Sequence, residues 1–544
     1  MDEPQTIETD VLIVGSGPIG ATYARKLVES GLEVKMVEVG ARTSAKPGDH
    51  NKNPAAFQKD MALFAQTMKA SMSVVSVPTK DVFIPNSSPF PFPSANHLLD
   101  GGNAGPDISA HADARNVGGL STRWACATPR PNIKTRPDIY TSDEWNELLK
   151  EAEGYIGTSL PGPDYVLKDS IRQQLLLDHL SGVLPDRDPH ALPIAARIDP
   201  KNPTLITWSS AYTVLGRIVE DKELKKRFEL LPEHLCAKLQ IDDAGKGIQY
   251  ATVKDLVNGK TIHVKAKAFV VSGGPVQTPQ LLYASGFRPE SAPDRQLLPA
   301  LGHFLTEDTM GFCQVVLSKE LIGKVEENKD WKEKVKAHKE STGDSLPIPL
   351  HDFDPQITLK VEETKNWHVQ IHGDGLSSSS APTAVDKRLL VDLRFFGPVQ
   401  PEKNNRVTFE EHATDVYGMP QPTFYFDVPK NDRSTSNRMI SDMAEVANKL
   451  GGYLPGSEPR LLPHEPAIYA CGTTRAGKST DSTRTGEIPE DSCCDESCKV
   501  WGMNNLYIGG SSVIPGASSA NPTLTAMCFA IKGANAIIEK LKQT

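Results

Sequence analysis

Four residues near the start of the chain have the types and spacing that binding of a dinucleotide requires: Gly15, Gly17, Gly20 and Glu38. In such a loop the first glycine permits a tight turn and the second lets the backbone approach a pyrophosphate. The third glycine lets a helix pack closely on a strand, and an acidic residue about 20 positions later accepts hydrogen bonds from ribose hydroxyls. The pattern therefore predicts a bound dinucleotide cofactor.

A strand, a helix and a second strand must position these residues. The apolar run at 11–14 predicts the first strand, and residues 21–30 predict a helix that Gly31 ends. Residues 33–37 predict the second strand, with Glu38 directly after it. A glycine motif alone is weak evidence, and this surrounding strand–helix–strand unit makes it specific.

The C-terminal end supplies a second strand–loop–helix unit. Residues 506–508 predict a strand that leads to Gly510, and Asn521, Pro522 and Thr523 open an apolar helix. Proline suits the first turn of a helix, and a helix start presents free N–H groups to a negatively charged flavin ring. The same unit could also simply close an α/β sheet. Because the glycine motif and this closing unit lie at opposite ends of the chain, FAD is favoured over NAD.

Length and composition limit the class of protein. A chain of 544 residues is too long for one simple core, which favours two interleaved domains. A hydrophobic share of 38%, a charged share of 23% and a net charge of −9 are typical of a soluble globular protein that does not bind nucleic acid. The sequence contains no apolar run of membrane-spanning length, and its N-terminal segment lacks the features of a signal peptide. We therefore expect an intracellular, cytoplasmic protein with no membrane partner.

The eight cysteines do not form a disulfide framework in a chain of this length. Cys493, Cys494 and Cys498 are clustered, but neither a matching CxxC nor a His pair accompanies them. This pattern indicates free thiols and no metal site.

Two irregular stretches follow the first unit. Residues 80–105 contain a Pro-rich run that can be neither regular helix nor central strand, and we interpret them as an arm or lid. Such an arm could pack on a second subunit of a homo-oligomer. Residues 114–130 combine paired glycines and small hydroxyl residues with Trp124, which indicates a backbone loop against a flat ligand.

A series of motifs extends over nearly the whole chain. They are VLIVGSGPIG (11–20), GGLSTRWACATPR (118–130), GGPVQTPQLLYASG (273–286), WHVQIHGD (367–374), VDLRFFG (391–397), DVYGMPQPTF (415–424) and SSANPTLTAM (518–527). In this order, they resemble the pyranose 2-oxidase branch of the glucose-methanol-choline (GMC) oxidoreductases, which are FAD enzymes. So long an ordered match is far more discriminating than the glycine motif.

The resemblance implies an α/β fold with two interleaved domains. One is an FAD-binding Rossmann-like domain of the GMC type, similar to that of p-hydroxybenzoate hydroxylase, and the other is an α+β substrate domain built on an antiparallel sheet. The FAD-binding domain is expected at 1–155, 200–300 and 455–544, and the substrate-binding domain at 156–199 and 301–454. The residue pattern itself predicts a β-meander at 235–271, strands at 357–361, 368–371 and 389–393, and a helix at 432–450.

The resemblance also implies a set of FAD contacts. They are Gly15, Gly17, Gly20, Glu38, Gly118, Gly119, Thr122, Arg123, Trp124, Ala125, Cys126, Cys236, Gly273, Gly510, Asn521, Pro522 and Thr523. Cys236 is expected to flank the adenine. Members of the family link FAD covalently through a His in Ser-Thr-His-Trp, where this chain has Arg123. A guanidinium stays protonated and cannot act as that nucleophile, so we predict non-covalent FAD.

The expected catalytic pair departs from the family pattern. In the family, a His removes the hydroxyl proton of an alcohol while hydride moves to flavin N5, and an Asn lies beside that His. Asn521 matches the Asn, but Tyr469 stands in the position of the His. A phenol with a pKa of about 10 is a poor base unless a group such as Arg475 lowers it. His464 and His372 are therefore candidates for a relocated base.

The expected substrate segment is altered as well. His372, Asp374 and Leu376 match the mobile substrate loop of the family, but the aromatic residues expected there are missing. The resemblance thus implies less stacking surface for a sugar and a wider mouth. Arg394 follows the family's Arg near this loop and is therefore a candidate substrate contact, although we interpret it as a structural residue that pairs with a carboxylate. His368 is interpreted as a satisfied structural residue.

Three functions agree with these observations. The first is an FAD alcohol oxidoreductase that acts on a sugar or another hydroxylated small molecule, with oxygen or another electron acceptor. The second is a flavoenzyme of secondary metabolism that oxidises a non-sugar substrate or catalyses a redox-neutral cyclisation or elimination, with Tyr469 as an acid. The third is a non-catalytic flavin-binding protein, which the intact FAD framework and Asn521 disfavour.

Overall fold

The computed structural model describes residues 4–60, 63, 73–74, 110–133, 135–373, 385–462, 466–484 and 486–543. Its longer helices are Pro18–Glu29, Ser142–Ile156, Ile171–Val183, Gly274–Ala284, Lys319–Glu327, Lys332–Thr342, Lys430–Leu450 and Thr523–Lys542. Two sheets of seven strands organise these helices. The predicted arm at 80–105 lies outside the described residues, and the domain boundaries stay a prediction.

The first sheet, here called the parallel sheet, contains the strand that precedes the glycine motif. Its parallel strands are, in spatial order, Leu506–Ile508, Thr261–Val271, Gln5–Val14, Val34–Val37 and Phe228–Leu231. The first strand was predicted at 11–14 but runs over Gln5–Val14. The residues before position 11 are mostly polar and pair on one side only, with Thr261–Val271. Such a half-paired, polar segment gives no apolar run in the sequence.

The two ends of the chain are joined in this sheet, as their motifs predicted. The strand Leu506–Ile508 pairs with Thr261–Val271, and the Tyr23 hydroxyl of the first helix donates to the Ile508 carbonyl at 3.2 Å. The helix Thr523–Lys542 passes so close that a Cβ on Gly533 would lie 2.1 Å from the Tyr23 hydroxyl oxygen. The N-terminal and C-terminal units therefore form one body.

The predicted β-meander is confirmed. Strands His234–Ile241 and Ile248–Asp255 are antiparallel to each other, and the second pairs with the first half of Thr261–Val271. The last half of that long strand pairs instead with Leu506–Ile508. It then leads to the helix Gly274–Ala284, which places Gly273 at the carboxyl edge of the parallel sheet.

The second sheet, here called the antiparallel sheet, is built on the substrate side. Its main strands are, in spatial order, Gly451–Tyr453, Thr309–Leu317, Leu390–Gly397, His368–His372, Gln356–Thr358 and His190–Ala191, and Arg460–Leu461 also pairs with Thr309–Leu317. Helix Lys430–Leu450 packs its buried Met439 and Met443 on this sheet. The strand predicted at 357–361 ends early, because the Lys360 N–H donates to the Arg187 carbonyl, off the sheet.

These two sheets confirm the predicted α/β class. All eight cysteines are buried and free, as the spacing of Cys493, Cys494 and Cys498 indicated. No helix within the described ranges is long and apolar enough to cross a membrane. The carboxyl edge of the parallel sheet and one end of the antiparallel sheet meet near Asn521, which accepts a hydrogen bond from Gln370 of the antiparallel sheet.

Candidate active site

The three glycines of the N-terminal motif occupy three different environments. Gly15 has a φ of +98°, and a Cβ there would lie 2.6 Å from the Ser272 carbonyl oxygen. A Cβ on Gly20 would lie 2.0 Å from the Gly15 carbonyl oxygen, so only glycine lets this helix start pack on the turn. A Cβ on Gly17 would meet no protein atom within 4 Å. The open side of Gly17 is thus available for a pyrophosphate.

Glu38 follows the strand Val34–Val37 and is held by the same loop. Its Oε2 accepts hydrogen bonds from the Ser16 N–H at 3.0 Å and the Ser16 hydroxyl at 2.7 Å, and its Oε1 accepts from the Gly40 N–H at 3.0 Å. Burial raises the pKa of Glu38, and these hydrogen bonds offset part of the rise. Each carboxylate oxygen has a second lone pair, so the ribose contact of Glu38 stays a prediction.

A second glycine loop faces the first. Gly118 and Gly119 have φ values of +95° and +55°, and a Cβ on Gly119 would lie 3.6 Å from the Gly17 Cα. The Gly118 N–H donates to the Ser16 hydroxyl at 2.9 Å. Ser16 therefore couples both loops to Glu38, a role that the sequence analysis missed.

Together these loops and two others form what we call the glycine cradle: Gly15, Gly17, Gly118, Gly119, Gly273, Gly274 and Gly510. Adjacent members approach closely, since a Cβ on Gly15 would lie 3.2 Å from the Gly273 Cα and one on Gly510 would lie 4.0 Å from the Gly274 Cα. A long track of bare backbone of this kind fits a dinucleotide. Cys236, predicted beside the adenine, lies buried at a bulge in the strand His234–Ile241.

Arg123 lies buried next to the cradle. Its Nη1 donates to Asn116 Oδ1 at 2.5 Å and to Thr122 Oγ1 at 3.2 Å, and burial lowers the pKa of its guanidinium. The segment that follows is fixed by two bonds: the Trp124 indole donates to the Ser209 carbonyl at 2.8 Å, and the Trp124 carbonyl accepts from His50 Nε2 at 2.9 Å. These contacts place Arg123 in a rigid loop.

His50 and Cys126 complete the support of that loop. His50 Nδ1 accepts the Lys52 N–H at 3.0 Å, so its Nε2 carries the proton, and burial lowers the pKa of this imidazole to about 3. Cys126, the residue after Ala125, adopts a φ of +59°, and its thiol donates to the Ser209 carbonyl. No motif or spacing pointed to His50.

The predicted pair Tyr469 and Asn521 is brought together at the start of the closing helix. Asn521 Nδ2 donates to the Tyr469 hydroxyl at 3.2 Å. Asn521 Oδ1 accepts from Gln370 Nε2 at 2.6 Å, and the same Gln370 nitrogen lies 3.0 Å from His368 Nε2. Pro522 lies one position before the helix Thr523–Lys542 rather than in its first turn, with the helical angles φ −78° and ψ −9°.

The sequence analysis missed Gln370, and the hydrogen bond from Gln370 agrees with the interpretation of His368 as a satisfied structural residue. Gln370 can donate its two amide hydrogens to Asn521 and His368, which makes His368 Nε2 an acceptor. Burial lowers the pKa of His368 to about 3, so the ring is neutral. The Phe396 ring lies 6.0 Å from the His368 ring and meets the Tyr469 ring edge-on at 5.4 Å. Alternation along the strand His368–His372 was the available signal, since it puts positions 368, 370 and 372 on one face.

The other substrate-side predictions have mixed outcomes. His372 is buried and pairs in register with Asp392. Arg394 Nη2 lies 3.6 Å from Asp392 Oδ2, which confirms the predicted carboxylate partner. Asp374 and Leu376 lie outside the described residues, and so does His464. Their proposed contacts with substrate stay predictions.

One further group contacts the Tyr469 backbone, and the predicted influence of Arg475 can be compared with where Arg475 lies. The buried Glu307 accepts hydrogen bonds from the backbone N–H groups of Tyr469 and Ile468. The Arg475 guanidinium lies over the Phe304 ring, 4.6 Å from its centre, and its influence on Tyr469 stays a prediction. Among the described residues, no group of three His, Cys, Asp or Glu side chains is arranged to hold a metal ion.

A glycine cradle beside a hydrogen-bonded polar cluster, between a parallel and an antiparallel sheet, defines the class of flavin-dependent oxidoreductases. Comparison with known proteins gives the family. Residues 401–530 match the GMC oxidoreductase family, and residues 8–64 match an FAD-binding domain family.

Related proteins of known function are similar to the chain over almost its whole length. It is 44% identical to a pyranose 2-oxidase of Emericella nidulans, covering 98% of this chain and 93% of that protein. It is 38% identical to a pyranose 2-oxidase of Lyophyllum shimeji, covering 98% and 92%. It is 28% identical to a C-glycoside 3-oxidase of Microbacterium trichothecenolyticum, covering 98% and 97%.

Solved structures agree on the fold. Pyridoxine 4-oxidase from Mesorbium loti matches with a TM-score of 0.62 at 15% identity, covering 97% of this chain and 99% of that one. The chain belongs to the GMC oxidoreductases, in the branch of pyranose 2-oxidase. It is an FAD-dependent oxidoreductase, an oxidase or dehydrogenase that acts on CH–OH groups.

Proposed function

We propose that the protein oxidises a CH–OH group of a sugar or a related polyhydroxylated small molecule, with Tyr469 and Asn521 at the reacting carbon and oxygen as electron acceptor. FAD, when bound, supplies the acceptor for the hydride. The observation that supports this proposal is the 3.2 Å hydrogen bond from Asn521 to the Tyr469 hydroxyl at the N-terminus of the closing helix. The names of the related sugar oxidases support the substrate class and the acceptor.

Tyr469 and Asn521 would both act at the substrate hydroxyl. Oxidation of the alcohol needs a group that takes the hydroxyl proton as the hydride leaves, and the phenol can do this only in its deprotonated form, whose oxygen would accept from both Asn521 Nδ2 and the substrate hydroxyl. A neutral phenol is a weaker base than imidazole near neutral pH. We therefore expect slow oxidation of simple sugars compared with an enzyme that has a His in this position.

The same phenol favours a second candidate function. A tyrosine is well suited to donate a proton, so the enzyme could oxidise a more activated, non-sugar substrate or catalyse a redox-neutral cyclisation or elimination. Anaerobic mixing with glucose, other sugars and C-glycosides separates these candidates. Bleaching of the flavin absorbance by any of them supports hydroxyl oxidation. Flavin that stays oxidised with all of these compounds supports the second candidate, and product formed without bleaching supports its redox-neutral form. Bleaching by glucose as fast as in the Emericella nidulans enzyme would contradict the expected weak base.

We also propose that FAD is held without a covalent bond. The proposal rests on Arg123, whose guanidinium already donates to Asn116 and Thr122 and has no nucleophilic lone pair. Acid precipitation should leave the yellow cofactor in the supernatant. Flavin that stays with the precipitated protein would contradict this.

A further inference from the structure

A buried acidic pair lies beside the predicted catalytic tyrosine without belonging to the glycine cradle. Glu307 and Asp308 are each 4% exposed. Carboxylic acids are rarely buried so completely without a partner. The partner of Glu307 is the backbone of the segment that carries Tyr469.

The backbone of residues 302–306 first pairs with the chain that follows Tyr469. The Gly302 N–H donates to the Thr473 carbonyl at 2.8 Å, and Thr306 and Cys471 exchange two hydrogen bonds of 3.0 and 2.9 Å. Gly472 adopts a φ of +85°, and a Cβ there would lie 2.4 Å from the Phe304 carbonyl oxygen. Backbone hydrogen bonds therefore fix positions 471–473, and the Thr473 hydroxyl adds a side-chain bond to the Pro275 carbonyl.

At Tyr469 the backbone is held by a side chain, that of Glu307, and no longer by another backbone segment. Glu307 Oε1 and Oε2 accept the Tyr469 N–H at 3.0 and 3.1 Å, and Oε1 also accepts the Ile468 N–H at 3.3 Å. The forked carboxyl group thus holds the backbone of the residue whose phenol reaches Asn521.

We propose that Glu307 is a positioning residue of the reaction: it fixes the Tyr469 backbone so that the phenol meets Asn521 in the productive geometry. The inference rests on the proposed role of Tyr469. It extends that proposal, because it names Glu307 as the group that determines the position of Tyr469.

The hold on Tyr469 does not require a charge on Glu307, because Oε1 by itself accepts from both the Tyr469 and the Ile468 N–H. Burial raises the pKa of Glu307 to about 8, although the two N–H donors lower it in part. The titratable groups coupled to Glu307 are the Asp308 carboxyl and the Cys471 thiol. Burial raises the pKa of both groups, and the charge of Glu307 raises both pKa values further. A neutral carboxyl still accepts through its carbonyl oxygen. Glutamine at this position should therefore keep the function.

The experiment compares Glu307→Gln, Glu307→Asp and Glu307→Leu in the FAD-loaded protein, with Asp308→Asn as the control. Asp308 is equally buried, but its Oδ2 has no partner among the described residues. Hydrogen–deuterium exchange of the peptide that contains residues 468–472 reports the backbone hold directly. Faster exchange is expected for the Asp and Leu variants only. Their turnover should fall about 10- to 100-fold, since a shift of the order of 1 Å has that effect, while Glu307→Gln stays near the wild type.

A double-mutant comparison separates positioning from general support of the fold. In a Tyr469→Phe background, Glu307→Asp should have little further effect on turnover, because the group it positions is already gone. An equally large further loss would overturn the inference, and so would unchanged exchange at 468–472 in both the Asp and Leu variants. Should Tyr469→Phe alone keep full turnover, the proposed function of Tyr469 fails and this inference with it. Unchanged exchange, in contrast, overturns the inference alone.

Discussion

The glycine cradle and the cluster around Tyr469 are built on opposite principles. The cradle consists of backbone, and its key positions are glycines that lie close together because any side chain would collide or fill the space. The Tyr469 cluster consists of side chains from segments far apart in sequence, held by hydrogen bonds such as that between Gln370 and Asn521. A family can therefore keep one cofactor on an unchanged cradle while single substitutions in the cluster change the reaction.

The largest effect is expected at the cradle and its support, where Gly17, a member of the cradle, and Gly20, which packs on Gly15, serve as a matched pair. In Gly20→Ala the new Cβ would lie 2.0 Å from the Gly15 carbonyl oxygen, so we expect the free energy of unfolding to fall by roughly 3 kcal/mol and FAD to be lost. Gly17→Ala meets no protein atom and has an ordinary φ of −62°. It should leave the unfolding of the apo-protein unchanged but abolish FAD binding. Thermal unfolding and the flavin absorbance of both variants check this, and equal stability of the two apo-proteins would contradict it.

A smaller effect is expected at the polar edge of the cradle. Glu38→Ala should weaken FAD binding by about 1.5–3 kcal/mol, or roughly 10- to 150-fold, because charge-assisted hydrogen bonds to the ribose are lost. Glu38→Gln, which keeps one acceptor oxygen, should lie between Ala and the wild type. Titration of the apo-proteins with FAD measures the dissociation constants. Unchanged FAD affinity in Glu38→Ala would show that Glu38 serves only Ser16 and Gly40.

The smallest effect is expected in the Tyr469 cluster, at Gln370. Gln370→Leu removes the donor to Asn521 Oδ1 and should lower turnover by about 5- to 10-fold, in line with the loss of about 1 kcal/mol for one hydrogen bond. FAD content should not change, because Gln370 belongs to the cluster and not to the cradle. Gln356→Leu, at a buried glutamine on the neighbouring strand, is the control for burial alone. Equal losses in both variants would mean that Gln370 acts only through packing.

The contrast between the two regions also explains what the sequence could predict. Gly15, Gly17 and Gly20 obey local rules of backbone geometry, so their spacing predicted the strand, the helix and the cofactor class. Tyr469 and Asn521 were found because their places in a family motif were recognisable.

Glu307 and Gln370 could not be found in this way. Glu307 contacts a residue 162 positions away, and Gln370 contacts one 151 positions away. Such contacts depend on the register of strands and on a chain reversal that no short pattern encodes. The partner of Glu307 is a backbone segment, which has no residue type to recognise in the sequence.

The most direct test of the account is the rate of anaerobic flavin reduction in Tyr469→Phe, measured with the best substrate of the wild-type protein. The substitution removes one hydroxyl and little volume, so FAD content and thermal stability should stay those of the wild type. Flavin reduction should slow at least 10-fold if the phenol exchanges a proton with the substrate. A variant that binds FAD and is reduced at the wild-type rate would contradict the central claim that Tyr469, held against Asn521, takes part in the reaction.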